Sequence, residues 1–139
     1  MPSPAGYSGT PLPKKLGIKP GFRCVFPGAP GDFPETLGEL PDDVTVLARP
    51  GKDLDCVVLF TRSRSELERR FSNLAKRLTP AGMLWVAWPK KASGVPTDVT
   101  DSVVRSHGLA QGLVDNKVCA IDETWSGLRF MRRRKPGKK

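Results

Sequence analysis

The chain has a single histidine, His107, among 139 residues. That scarcity argues against a zinc site built from protein ligands, and against Ser-His and Cys-His catalytic pairs. Cysteine is scarce too. Cys24, Cys56 and Cys119 are an odd number, far apart in sequence and without a C-x-x-C spacing. Each lies inside an apolar run ("FRCVF", "LDCVVLF", "KVCAI"), as buried thiols acting as small hydrophobes do. No apolar run approaches the length that spans a membrane. The first residues, "MPSPAGYSG", have neither the charge nor the apolar segment of a secretory signal. A cytoplasmic protein with no membrane partner is expected.

What is present is an ordinary globular composition, 38% hydrophobic and 27% charged, at a length suited to one domain with one core. The net charge of +9 looks like a nucleic-acid signal until it is located. From Arg129 onward there are seven basic residues and no acidic one, which leaves +2 for residues 1–128. The basicity is therefore mostly a tail. It either solubilises the end of the chain or contacts phosphates through Arg132, Arg133, Arg134 and Lys135.

Residues 1–21 are rich in Pro, Gly and Ser and read as a lead-in with one helical turn near Lys14–Leu16. The single domain then runs from 22 to 134, followed by the basic tail, 135–139. Strands are expected at 22–26, 44–48, 54–60 and 83–88, the last two continuously apolar as strands buried on both faces are. A short helix follows Asp32, an N-cap with Glu35 three residues on. The strongest helix covers 63–78, with Ser63 or Ser65 as cap, a stripe of Leu67, Phe71, Leu74 and Leu78, and "TPAG" as its stop. Another runs from about Asp98 to Gly112, with Val99, Val103, Ser106, Ala110 and Leu113 on one side. "KVCAID" and "GLRFMRR" close the chain as a hairpin joined by "ETWSG". The fold class is α/β: an open, mostly parallel Rossmann-like sheet with helices on both faces and a C-terminal antiparallel hairpin. About six residues separate the second and third strands, too few for a helical crossover. Either the chain crosses the sheet edge quickly or those strands pair antiparallel.

"LERRFSNLAKRLTPAGMLWVAWP", followed by a helix and a terminal hairpin, resembles the second half of an S-adenosylmethionine-dependent methyltransferase domain. The likeness covers roughly 22–134 and concerns the fold. "GYSGTPLPKKLGIKPG", "LWVAWPKKASGVPTD" and "DETWSGLR" together resemble a small bacterial family of unknown function. The resemblance implies a shortened methyltransferase-like domain. In the cofactor half the chain departs from that pattern. The loop "CVFPGAPGD" keeps Gly28 and Gly31 as cofactor-binding candidates, but Pro27 and Pro30 remove two N–H donors and no acid precedes them. Arg49 stands near where an acidic residue would hold the ribose hydroxyls. A helix-strand unit that would wall the adenine pocket is missing. S-adenosylmethionine is thus a disfavoured cofactor.

Ligands of open α/β sheets collect at the carboxyl ends of the parallel strands. The loop "WPKKASGVPTDVT", residues 88–100, leaves such an end. If the terminal hairpin runs as the resemblance implies, its turn joins "TRSR" on the same rim. That groups Arg62, Lys90, Lys91, Ser93, Thr97, Asp98, Glu123, Trp125 and Ser126, with Tyr7 of the lead-in able to fold over them. The cations suit an anionic small molecule, and Ser93, Gly94 and a helix N-terminus could hold its phosphate or carboxylate. Trp88 and Trp125 could form a stacking wall, although Trp88 has core register and Thr97 is also a good helix N-cap. An indole at a hairpin tip is otherwise poorly buried, which favours a role for Trp125. Three functions compete. The favoured one is a non-catalytic binding domain on a degraded methyltransferase-like scaffold. The second is an active methyltransferase with an altered cofactor loop and Asp98 or Glu123 as base. The third is an RNA- or DNA-binding protein that uses the tail and the lysine rim.

Overall fold

The structure, a computed structural model, describes residues 10–133. Tyr7, Arg134 and Lys135 lie outside the described residues. The elements follow in the order α1 (Leu12–Leu16), β1 (Arg23–Val25), α2 (Phe33–Leu37), β2 (Thr45–Leu47), β3 (Leu54–Phe60), α3 (Arg64–Ala75), β4 (Leu78–Pro89), α4 (Asp101–Ala110), β5 (Leu113–Ala120) and β6 (Trp125–Arg132). The strands form one six-stranded sheet in the order β2-β1-β3-β4-β6-β5. β2, β1, β3 and β4 are mutually parallel where they pair, while β6 is antiparallel to both β4 and β5. This is the open Rossmann-like sheet with a C-terminal hairpin that the sequence implies.

The alternation of side chains along β3 and β4 divides the core in two. Val57, Leu59, Leu84, Val86 and Trp88 point to the face covered by α3 and α4. Cys56, Val58, Phe60, Met83, Trp85 and Ala87 point to the face covered by α1 and α2. Trp88 is thus core, as its register indicates. Burial on both sides explains why these strands read as unbroken apolar runs. Leu12, Leu16 and Ile18 belong to the second cluster, so this part of the lead-in is built into the fold. The indole Nε1 of Trp85 fixes it, donating to the Leu16 carbonyl at 2.9 Å.

The two candidate neighbours left open by the short 48–53 connection do not pair. β1 lies between β2 and β3 and is parallel to both. β2 is only three residues long, so little chain is needed to return to the start of β3. Two arginines hold the crossing segment. The Arg23 guanidinium donates to the Lys52 carbonyl at 3.2 Å, and Arg77 Nη1 donates to the Gly51 carbonyl at 3.4 Å.

α3 is capped by Ser63, whose Oγ accepts the Glu66 amide at 3.1 Å, and it buries Leu67, Phe71 and Leu74. It ends at Ala75, three residues before Leu78 opens β4. "TPAG" is not a helix stop but an irregularity inside β4: pairing jumps from Leu54↔Leu78 to Cys56↔Met83. α4 also differs from expectation. It starts at Asp101, with Thr100 as its cap, and buries Val104 and Gly108, while Ser106 and Ala110 are exposed. Gly108 is required there because a Cβ would collide with the Phe130 ring. Asp32 precedes α2 without a side-chain cap bond, having an unsuitable near-helical ψ of 6°. No helix among the described residues is long and apolar enough to cross a membrane.

Candidate functional site

Parallel strands deliver their loops to one rim, and here four segments meet on it. The β1–α2 loop meets the end of β3 through the Phe60 amide, which donates to the Pro27 carbonyl at 2.9 Å. β3 leads through Thr61 into Arg62. β4 leads through Pro89 into Lys90, whose amide donates to the Thr124 carbonyl at 2.8 Å in the hairpin turn. The turn is shaped by Asp122, whose Oδ1 accepts the amides of Thr124 and Trp125, both at 2.8 Å.

The 90–98 loop is laced to its surroundings by its own polar side chains. Ser93 Oγ donates to the Lys90 carbonyl at 2.7 Å and accepts the Val95 amide at 3.2 Å, closing a 3-10 turn over Lys91–Ser93. Thr97 donates its hydroxyl to the Arg62 carbonyl and accepts the Val99 amide at 3.0 Å. It does not cap α4, which Thr100 does through the Val103 amide. Asp98 does not occupy the α4 terminus either. Its carboxylate accepts the amide of Arg64 at 2.8 Å, at the start of α3. The polar groups of Ser93, Thr97 and Asp98 thus hold the loop in shape.

Trp125 corrects the expectation of a poorly buried indole. It lies in β6 opposite Pro89, one residue past the turn, with only 4% of its surface accessible. Its ring meets Phe60 edge-on at 5.0 Å, and Phe60, Phe33 and Phe26 continue the row of T-shaped contacts. The Arg62 guanidinium lies over the Trp125 ring, 5.3 Å from its centroid. Stacking of this kind contributes about 0.5–1 kcal/mol at an exposed site and holds the cation in place. Ser126 is half-buried in β6, paired with Trp88 and Ala120. Arg62, Lys91 and Glu123 are exposed and Lys90 is half-buried. Among the described residues the ion pairs are those of Arg105 with Asp101 and Asp115, so no carboxylate neutralises Arg62, Lys90 or Lys91.

The cofactor-loop candidates face inward or outward in an unexpected way. Gly28 has φ +75°, and a Cβ there would stand 2.6 Å from the Phe60 carbonyl oxygen. Its bare face therefore approaches the end of β3. Gly31 is exposed with open space around it. The amides of Ala29 and Phe33 are taken by the Phe26 and Pro30 carbonyls. Arg49, after β2, is exposed.

Two features of the rim were invisible to sequence reasoning. Thr61 is the buried polar residue of the described chain, 1% accessible, and its hydroxyl lies 3.0 Å from both the Ser63 carbonyl and Glu66 Oε1. Nothing but its place after an apolar strand could have marked it. The second is a separation. β6 starts at the rim with Trp125 and ends at the opposite edge of the sheet with Arg132. The Arg132 guanidinium donates to the Ala75 and Leu78 carbonyls at 3.2 and 2.9 Å, securing the end of α3. Arg132 therefore holds the end of α3 and lies away from the lysine rim. Arg133 is exposed. His107 is packed edge-on to Phe71 at 5.1 Å between α3 and α4.

No protein-family model matches the sequence, and no curated protein is similar to it at the level of sequence. Solved structures are similar in fold. Magnesium protoporphyrin IX methyltransferase from Synechocystis, with bound S-adenosylmethionine, superposes with a TM-score of 0.61 at 12% identity, over 88% of this chain and 74% of that one. A SAM-dependent methyltransferase from Aquifex aeolicus gives 0.59 at 16% identity, over 84% and 85% of the two chains. Precorrin-6y C5,15-methyltransferase from Geobacter metallireducens gives 0.60 at 10% identity, over 88% and 86%. The scaffold is methyltransferase-like.

Proposed function

We propose that this chain is a non-catalytic binding domain on a methyltransferase-like scaffold, one of a small bacterial family, and that it holds a small anion at the rim. The observation that carries this reading is the arrangement around Trp125. Arg62 is stacked on that buried ring, and Lys90 leaves the paired strand beside it, with no carboxylate neutralising either among the described residues. A cation held by stacking loses less rotamer entropy when it takes a phosphate or carboxylate than a freely moving one does. Lys91 extends the same patch. Glu123 and Asp98 do not serve as bases in this reading, since Asp98 is engaged with α3.

S-adenosylmethionine fits the residues poorly. The glycine at the start of the loop turns its bare face to Phe60, two loop positions are prolines without N–H, and Arg49 cannot accept hydrogen bonds from ribose. A second reading, an active methyltransferase, is favoured by the fold itself, because the Synechocystis enzyme with this sheet was solved with the cofactor bound. Isothermal titration with inorganic pyrophosphate, S-adenosylmethionine and S-adenosylhomocysteine separates the two. The proposal expects pyrophosphate binding that Arg62→Ala and Lys90→Ala each weaken, and no heat from millimolar S-adenosylmethionine. Micromolar S-adenosylmethionine binding would replace it with the enzyme reading.

A further inference from the structure

A cleft of about 780 Å³ opens between α1 and α2, on the sheet face opposite α3 and α4. Its volume is in the range of sites that enclose a drug-sized ligand. It touches the rim's hairpin turn at Asp122, but none of its walls comes from the β1–α2 loop or the 90–98 loop, and Arg62, Lys90 and Lys91 are not among its lining residues. Leu12, Leu37 and Ile121 supply buried apolar surface at its base.

The charges on the two walls differ. α1 contributes Lys14 and Lys15, while α2 and the segment after it contribute Glu35 and Glu39; a further lining carboxylate, Asp122, is engaged by the Thr124 and Trp125 amides. Lys14, Glu35 and Glu39 are exposed, and no ion pair joins the walls among the described residues. The lysines and glutamates therefore stand beyond bonding distance of each other, with apolar surface between. α1 is held at this spacing by two struts to β5: Lys15 Nζ donates to the Ala120 carbonyl at 3.2 Å, and Lys117 Nζ donates to the Lys15 carbonyl at 3.1 Å. The second wall also presents backbone. Residues 38–41 belong to no helix or strand, and the amides of Glu39 and Leu40 have no backbone partner among the described residues.

A ligand complementary to this cleft has a cationic end, an anionic end, an apolar body and amide groups that pair with open backbone. We propose that the cleft binds a short apolar peptide, two or three residues long, through both of its charged termini. The peptide ammonium meets Glu35 and Glu39, the carboxylate meets Lys14, and the side chains cover Leu12, Leu37 and Ile121. Extended peptides commonly gain affinity from such main-chain pairing and specificity from alternate pockets.

The test is a chemical-shift titration of the full-length, isotope-labelled protein with the dipeptide Leu-Phe. Its N-acetylated and C-amidated forms serve as single-charge controls. The expected result is a set of shifts at residues 12–18, 35–40 and 121, with each capped form binding at least about tenfold more weakly. The double substitution Glu35→Gln, Glu39→Gln weakens the free dipeptide and leaves the acetylated one unchanged, and Lys14→Met does the same for the amidated one. These side chains are on the surface, so the variants fold. Lys90→Ala leaves peptide binding intact, which separates this site from the rim. Absence of shifts at millimolar peptide, shifts confined to the rim, or equal binding of capped and free forms would each overturn the proposal.

Discussion

The amide of Arg64, the first residue of α3, donates to Oδ1 of Asp98 at 2.8 Å across 34 positions of sequence. A helix leaves its first amides without intrahelical partners, and its N-terminus carries partial positive charge. Asp98 satisfies one of those amides from another loop, beside Ser63, which caps the same helix from within. Its carboxylate is therefore part of the framework that holds the 90–98 loop against α3. Asp98→Ala is expected to cost about 1 kcal/mol, in the range of lost caps. Asp98→Asn keeps an acceptor and recovers most of it. Urea unfolding of both variants checks this; equal stability of Asp98→Ala and the parent would remove the framework role.

Trp125 carries a larger load. Because it is buried against Phe60, opposite Pro89 in the strand pair, truncation leaves a cavity as well as a lost stacking platform for Arg62. Trp125→Ala should lower stability by about 3–5 kcal/mol, as core tryptophans do. Trp125→Phe should lose much less. A loss below about 1 kcal/mol for the alanine variant would mean that the ring is a surface feature after all.

Gly28 tests the packing of the cofactor-loop segment. Its φ of +75° is strained for any side chain, and a Cβ would press on the Phe60 carbonyl at 2.6 Å. Gly28→Ala is expected to destabilise by about 1–3 kcal/mol, whereas Gly31→Ala, in open space, should be near neutral. Denaturation midpoints of the two variants measured together would show whether the loop rests on β3.

These residues also show where sequence reading succeeds. The unbroken run of β3 and the Leu67, Phe71, Leu74 stripe of α3 are local patterns whose burial is dictated by strand and helix periodicity. Together with the terminal hairpin pattern they gave the fold class of the sheet. What stayed hidden is non-local. Thr97 looks like a helix cap because capping signals are local, yet its hydroxyl bonds Arg62 and Thr100 caps the helix. Trp125 lies in a strand and not in the turn because β6 opens at Trp125, two residues before the Gly127 that the sequence suggests. The β2–β3 connection was ambiguous because a three-residue strand lets six residues do what normally takes a helix. The α1–α2 cleft has no sequence signature, since its walls come from segments that only the fold brings together.

The cysteines should be silent in the native state. Cys24 and Cys56 are cross-strand neighbours with no accessible surface, and Cys119 is 5% accessible. The hydrogen bond with Cys24 and then burial push the Cys56 thiol up, and burial pushes Cys119 up; the same bond draws the Cys24 thiol down, so its complete burial is what shields it. Reaction requires thiolate and access. No thiol should react with Ellman's reagent at neutral pH until urea unfolds the protein, when all three should react together. Prompt labelling of the folded protein would contradict the packing.

One ion pair gives stability a modest pH dependence on the acid side. Arg105 Nε donates to Asp115 Oδ2 at 2.9 Å, linking α4 to β5, and that hydrogen bond holds the Asp115 carboxyl below its ordinary value. A carboxylate depressed in the folded state contributes stability above its unfolded value, and the contribution fades as pH falls through the folded one. Ordinary carboxylates titrate near about 4, so the pair is fully effective at neutral pH and is lost below that range. Asp115→Asn should therefore lower the melting temperature modestly at pH 7, with the gap to the parent closing as the pH drops below about 4. The exposure of the pair keeps the effect small and salt-sensitive. A gap that stayed constant with pH would assign the loss to packing and not to the charge on Asp115.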